Sequence, residues 1–212
     1  MSIQKKHQRG FTLVEIAIVL VIIGLLLGGV LKGQELIYNQ KVKSTYDAYR
    51  QTTAAMYGYQ DRYRAIPGDD ANVLTRGFVA TGGVAIVAGT GDGIIQGAAS
   101  QCNAAGVGAA LEVCQANYHM RLAGFISGQG TISATHPFGG TVTLVSPVML
   151  AGMTAPTSIC WYKLSNKAAL QIDTAYDDGQ GLTGSMHGST DYAAALAVAA
   201  PNGIVATTCM TN

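Results

Sequence analysis

Apolar residues are spread unevenly along the chain. From Phe11 to Leu31 the run Phe-Thr-Leu-Val-Glu-Ile-Ala-Ile-Val-Leu-Val-Ile-Ile-Gly-Leu-Leu-Leu-Gly-Gly-Val-Leu carries a single charge, Glu15. A stretch of about 20 such residues is what a helix needs to cross ~30 Å of hydrocarbon. Beyond it the pattern turns amphipathic without a break. Val42, Tyr46, Tyr49, Thr53, Met56 and Tyr63, with Gln60 filling the gap, follow alternating steps of four and three, the period of a helix with one buried face. Lys41, Lys43, Asp47, Arg50, Asp61, Arg62 and Arg64 fall largely off that stripe. Pro67 and Gly68 then stop it, so one helix is predicted from Phe11 to about Ile66, roughly 80 Å long at 1.5 Å per residue.

After Pro67 the chain changes character. Pro67-Gly68-Asp69-Asp70 reads as a turn, and residues 78–108, rich in Gly, Ala, Thr and Val, as irregular loops with a strand at Val84–Ala88. Leu111 to Ile126 has the pattern of a helix, with Leu111, Tyr118, Leu122 and Phe125 or Ile126 facing a core. Thr141–Val145 and Ser158–Leu164 are predicted strands bounded by Gly and Pro. Asn166 can cap a short helix from Lys167 to Tyr176, ending at Asp177-Asp178-Gly179, and Ile204–Cys209 can form a last strand. The fold class is therefore α+β: a long N-terminal helix whose second half packs on a small antiparallel sheet. The six tyrosines between Tyr38 and Tyr63 are expected to pack the helix beneath that sheet.

Composition narrows the function. With 49% hydrophobic and 12% charged residues, a long disordered chain is excluded. Thirteen Lys and Arg against twelve Asp and Glu give a net charge of +1, so nucleic acid is not an expected partner. The 27 glycines show no three-residue period, which excludes collagen. His119, His136 and His187 lack metal-ligand spacing, and Gly89-Thr-Gly-Asp-Gly93 lacks the Lys-Ser/Thr of a phosphate-binding loop. Neither an enzyme nor a cofactor is expected, and the histidines read as surface or loop residues.

The N-terminus carries the functional signal. Lys5, Lys6 and Arg9 precede the apolar run, a basic flank that places the N-terminus in the cytoplasm. A secretory signal would be shorter and close on an Ala-x-Ala-like site, whereas Leu31-Lys32-Gly33-Gln34-Glu35 follows here. Glu15 lies inside the run, where a carboxylate costs on the order of 2–3 kcal/mol. It therefore needs a partner. Gly10-Phe11-Thr12-Leu13-Val14-Glu15 resembles the processing motif of type IV pilins and pseudopilins. The resemblance implies cleavage after Gly10 by a prepilin peptidase, N-methylation of Phe11, and pairing of Glu15 with the Phe11 amine of a neighbouring subunit. It implies a filament subunit held in the inner membrane with its head on the periplasmic side, whose partners are like subunits and an assembly platform. The function expected is a structural subunit of a type IV pilus-like filament, with a type II secretion pseudopilin or an adhesive tip pilin as alternatives. Its parts are a leader at residues 1–10, a membrane or filament-core helix at 11–31, an amphipathic continuation at 32–66 and a head at 67–212. One departure from the family pattern is the lack of proline between Phe11 and Ile66. Gly24, Gly28, Gly29 and Gly33 are the weak points instead, each costing ~1 kcal/mol relative to Ala in a helix.

Similar pilin-like proteins also share head segments such as Tyr59-Gln-Asp-Arg-Tyr63, Ile66-Pro-Gly-Asp-Asp70 and Ile172-Asp-Thr-Ala-Tyr-Asp-Asp-Gly179. Cys102, Cys114, Cys160 and Cys209 all lie beyond the membrane run, where an even number reads as two disulfides with three pairings. Cys102–Cys114 with Cys160–Cys209 is favoured: the first closes a loop of about twelve residues, and the second ties the last strand to a central one. Asp92, Asp173, Asp177 and Asp178 stand on glycine-bearing turns and are weak calcium candidates, without EF-hand spacing. The resemblance extends to calcium, which some pseudopilins hold near the end of the head.

Overall fold

The computed structural model describes residues 12–97, 102, 110–146, 157–189 and 204–211. They belong to two units, residues 1–40 and 41–212. The elements in chain order are α1 (Leu13–Tyr63), a 3₁₀ turn (Val73–Thr75), α2 (Glu112–Leu122), β1 (Ala134–Thr135), β2 (Thr141–Val145), β3 (Ser158–Ser165), α3 (Asn166–Tyr176), β4 (Met186–Gly188) and β5 (Ile204–Thr211). A long N-terminal helix followed by a five-stranded antiparallel sheet is the α+β, pilin-like layout that the residue pattern predicts.

Helix α1 is unbroken through Gly24, Gly28, Gly29 and Gly33. It stops at Tyr63, three residues before the predicted end. Arg64 turns into the left-handed region at φ 55°, while its N–H still donates to the Gln60 carbonyl at 2.8 Å. The Tyr63 carbonyl is capped by Nη2 of Arg76 at 3.1 Å, so the last turn keeps its partners without further helix.

In the second unit α1 buries Val42, Thr45, Tyr49, Thr52, Ala55, Met56 and Tyr59. This is one step round from the predicted stripe, leaving Tyr46, Thr53 and Tyr63 only half-buried. The shift has a local cause. The hydroxyls of Thr45 and Thr52 donate to the Lys41 and Ala48 carbonyls at 2.8 and 2.9 Å. Satisfied by their own helix, they pack as small apolar residues do. Trp161 rests on this face, and its indole N–H donates to the Thr45 carbonyl at 3.1 Å. Of the tyrosines expected under the sheet, Tyr49 and Tyr59 are buried and Tyr57 is exposed.

The sheet order is β1-β2-β3-β5-β4. Trp161 on β3 pairs with Val142 on β2 and Thr208 on β5. Ser158 through Trp161 are all buried, as befits a central strand covered on both faces. Leu144, Ile159, Trp161 and Leu164 form the core with Ile172, Ala168 and Ala169 of α3. Gly140 must be glycine, since a Cβ there would lie 1.7 Å from the Tyr162 carbonyl oxygen. The N-cap of α3 is Ser165, whose hydroxyl accepts from Ala168 N–H at 3.3 Å. Asn166, predicted as the cap, is the first helical residue.

Three other expectations change. Helix α2 ends at Leu122 and is buried on every side from Glu112 to Met120, whereas Leu111 and Leu122 are half-buried and Phe125 is exposed. No strand forms at residues 84–88, because side chains of α2 take up that backbone. Gln115 accepts from Val87 N–H and donates to the Ala85 carbonyl, both at 3.2 Å. The Tyr118 hydroxyl accepts from Thr81 N–H at 2.7 Å and faces the Val84 carbonyl at 3.0 Å. His119 on α2 and His187 on β4 are buried, contrary to the surface or loop reading, whereas His136 lies in the loop after β1 as expected, though it too is buried.

Candidate functional site

In the first unit α1 opens with a reciprocal cap. Oε2 of Glu15 accepts from the Thr12 N–H at 2.7 Å and from the Thr12 hydroxyl at 2.8 Å. The Thr12 hydroxyl in turn accepts from Glu15 N–H at 3.3 Å. This is a capping box, the arrangement that Thr-x-x-Glu favours because it satisfies orphan donors of the first turn. Both side-chain bonds fall on Oε2, so Oε1 has no partner among the described residues. Glu15 was legible from its depth, but Thr12 was passed over, although the Thr12-to-Glu15 spacing is the signature that would have found it. Behind the cap, large apolar residues from Leu13 to Ile37 are exposed, Leu25 by 73% and Leu13 by 87%. The helix is long and apolar enough to cross a membrane. Gly10 and Phe11 lie outside the described residues.

The described part of the head is held together by buried polar groups. Asp70 accepts from the Tyr59 hydroxyl at 2.6 Å, from Nη2 of Arg76 at 2.8 Å, from Nε of Arg76, and from Asn72 N–H at 3.0 Å. Burial alone would raise the Asp70 carboxyl, but the bonds from Arg76, Tyr59 and Asn72 outweigh it and hold it below the usual range. Burial first, and the bond to Asp70 second, push the Tyr59 phenol up. Asp69 gathers the loop after residue 89, accepting from Gly91 N–H at 2.6 Å and Gly93 N–H at 2.7 Å. Glu112 accepts from Thr90 N–H at 2.7 Å and Gln96 N–H at 2.8 Å. His119 bridges Gly68 N–H, which donates to Nδ1 at 3.0 Å, and the Val87 carbonyl at 3.1 Å from Nε2. Burial lowers it to about 4, so it stays neutral.

Cysteines 102 and 114 are joined by a disulfide, as are cysteines 160 and 209. The second bond links directly opposed residues of β3 and β5. Asp92 accepts from Ile94 N–H and from the Gln96 amide and stands apart from the other acidic candidates. Asp173, Asp177 and Asp178 do come together: one carboxylate oxygen of each lies within 4.8 Å of the others. Asp173 is fully buried. Burial, with Asp177 and Asp178 beside it, raises its carboxyl to about 6 even though Gly179 N–H donates to it.

An apolar helix long enough to cross a membrane, in a chain with a disulfide-bonded α+β head, is consistent with membrane anchoring. The family model for the prokaryotic N-terminal methylation motif matches residues 5–31. The chain thus carries the motif diagnostic of type IV pilin and pseudopilin prepilins, which are structural subunits and not enzymes. That motif implies processing by the prepilin peptidase and assembly into pilin filaments. No curated protein and no solved structure matches the chain.

Proposed function

We propose that this chain is the structural subunit of a type IV pilus-like filament, made as an inner-membrane precursor with its N-terminus in the cytoplasm. The observation that carries the reading is the methylation motif at residues 5–31 running into an exposed apolar helix. The leader, residues 1–10, holds the precursor in place. Cleavage after Gly10 removes Lys5, Lys6 and Arg9 and takes the net charge from +1 to −2. Residues 11–31 then exchange lipid for neighbouring helices, residues 32–66 continue the helix into the head, and residues 67–212 form the periplasmic head. Apolar burial changes little in that exchange, so packing and Glu15 supply the specificity. The carboxylate that Thr12 caps in the lone subunit pairs with the methylated Phe11 amine of a neighbour, because either charge alone in low dielectric is costly.

Mass spectrometry of sheared filaments and of washed envelopes from the native host tests this. A peptide beginning at N-methylated Phe11 in the sheared fraction is expected. The same peptide confined to envelopes would replace the surface pilus with a periplasmic pseudopilus. An intact Lys5–Arg9 leader in both fractions would remove the prepilin reading.

A further inference from the structure

We infer that the cleft between residues 77–81 and the end of α2 binds a small aromatic carboxylate, with the Arg121 guanidinium holding the carboxylate and Phe78 and Leu122 flanking the ring. The cleft has a volume of about 490 Å³ and lies within the second unit. That is the size of pockets that enclose small ligands. Three observations converge on this assignment.

The first is an unanswered charge. Arg121 stands in the last turn of α2 and is half-buried. The ion pairs among the described residues are Lys32–Glu35 and Arg76–Asp70, so none of their carboxylates faces Arg121. Burial pulls its pKa below the ordinary value, and no nearby charge offsets that. The group keeps its proton all the same. A cation drawn out of water without an anion is costly, and a bound carboxylate removes the cost.

The second is the set of donors left over. Nε of Arg121 donates to the Ser127 carbonyl at 3.2 Å and Nη1 to the Gly130 carbonyl at 2.7 Å. These bonds lock the plane of the guanidinium and use two of its five N–H groups. The loop can lie this close because residue 128 is glycine, at φ 115°. A Cβ there would fall 2.8 Å from Nε and 3.4 Å from Nη2. The remaining N–H groups form the fork that matches a carboxylate. Arg121 is the one Lys or Arg among the described residues lining the cleft. A single positive charge suits a monoanion better than a doubly charged phosphate.

The third is the walls. Phe78 and Val79 line one side and Leu122 the other. The Phe78 ring is held edge-on by Tyr63, with centroids 5.5 Å apart at 77°. Val79 is 77% exposed, a large apolar surface left in water. A ligand with an aromatic body covers such surface while its anion meets Arg121. Both walls hang on one helix. Tyr118 takes Thr81 N–H at 2.7 Å, and Arg121, three residues on and on the same helix face, holds residues 127–130. The cleft is therefore formed before a ligand arrives, which lowers the ordering cost of binding.

The test is saturation-transfer NMR on the full-length protein in detergent micelles, with benzoate as the probe. Benzoate should bind with a dissociation constant of about 1 mM. Benzamide, which has the ring without the charge, and acetate, which has the charge without the ring, should each bind at least ~10-fold more weakly. Arg121→Gln should lose binding by a similar factor. Gln129→Glu, at an exposed position on the cleft, should keep the near-ultraviolet signal of Trp161 and also lose binding, because it sets a carboxylate against the ligand. Asp92→Asn should bind as the parent does. Absence of benzoate binding, or parental binding in a folded Gln129→Glu protein, would overturn the site. Benzamide as tight as benzoate would overturn the role of Arg121, and acetate as tight would overturn the aromatic body. Inorganic phosphate binding more tightly than benzoate would overturn the choice of a carboxylate.

Discussion

Asp70 is the most consequential single carboxylate in the head, and its removal gives a sharp test of the packing described. Asp70→Ala deletes the acceptor for the Tyr59 hydroxyl, for two nitrogens of Arg76 and for Asn72 N–H. Asp70 is 1% exposed, and the Arg76 side chain is 17% exposed. What remains is a guanidinium largely out of water, holding only the Tyr63 carbonyl at 3.1 Å. Breaking a buried pair from one side costs about 3–5 kcal/mol. The residual exposure of Arg76 and its bond to Tyr63 place this case near the lower end, at about 3 kcal/mol. For a chain of this size that is a fall in Tm of roughly 6–12 °C. The assay is thermal unfolding of the full-length protein in micelles, followed by near-ultraviolet circular dichroism, which reports the buried Trp161. A double-mutant cycle with Arg76→Met separates the pair from its surroundings. The double variant should be less destabilised than the sum of the singles by at least ~1 kcal/mol, because it no longer buries a lone charge. A Tm for Asp70→Ala within about 1 °C of the parent, or strictly additive losses in the cycle, would refute the reasoning.

Three further outcomes are expected. His119 is held neutral at about 4 in the folded head against ~6.5 when unfolded. Its contribution is complete above pH ~6.5 and is lost as pH falls toward ~4, by about 3 kcal/mol in all. Asp173, raised to about 6, works in the opposite direction over that range, so the readout is the difference between denaturation series for the parent and His119→Gln. Parallel curves from pH 7 to 4 would count against the assignment. Glu15→Ala should insert in the membrane at the parental level yet leave no sheared filaments, and a normal filament yield on immunoblots would sink the pairing with Phe11. Replacing Cys160 and Cys209 together by serine opens a loop of 49 residues and should cost roughly 4 kcal/mol by loop entropy. Unchanged urea midpoints would show that the bond adds nothing to the sheet.

Much of the architecture was legible because it rests on local periodicity. The apolar run with one carboxylate, the long helix, β2, β3 and β5 all follow from spacing and from Gly and Pro at their borders. What escaped was tertiary. Thr45 and Thr52 belong to the buried face of α1 only because each hydroxyl folds back on its own helix, which a count of apolar positions does not register. Residues 84–88 look like a strand by composition, but Gln115, Tyr118 and His119 of α2 take the backbone groups that a neighbouring strand would have used. Asp70 read as part of an ordinary turn, and only folding brings Tyr59 and Arg76 to it. At the start of α1, the depth of Glu15 in the apolar run was visible at once, while its bond to Thr12 required reading a capping signature inside that run.

The two outer strands of the sheet are very short: β1 is two residues and β4 three. On β4, the Gly188 N–H is already taken by the Gly181 carbonyl at 2.8 Å. A protein gathered into a polymer holds its heads at very high local concentration, where a long bare strand would recruit its equals and grow into a fibril of another kind. Here the rims of the sheet offer almost nothing to copy. In the filament proposed above, heads can then crowd together without pairing edge to edge.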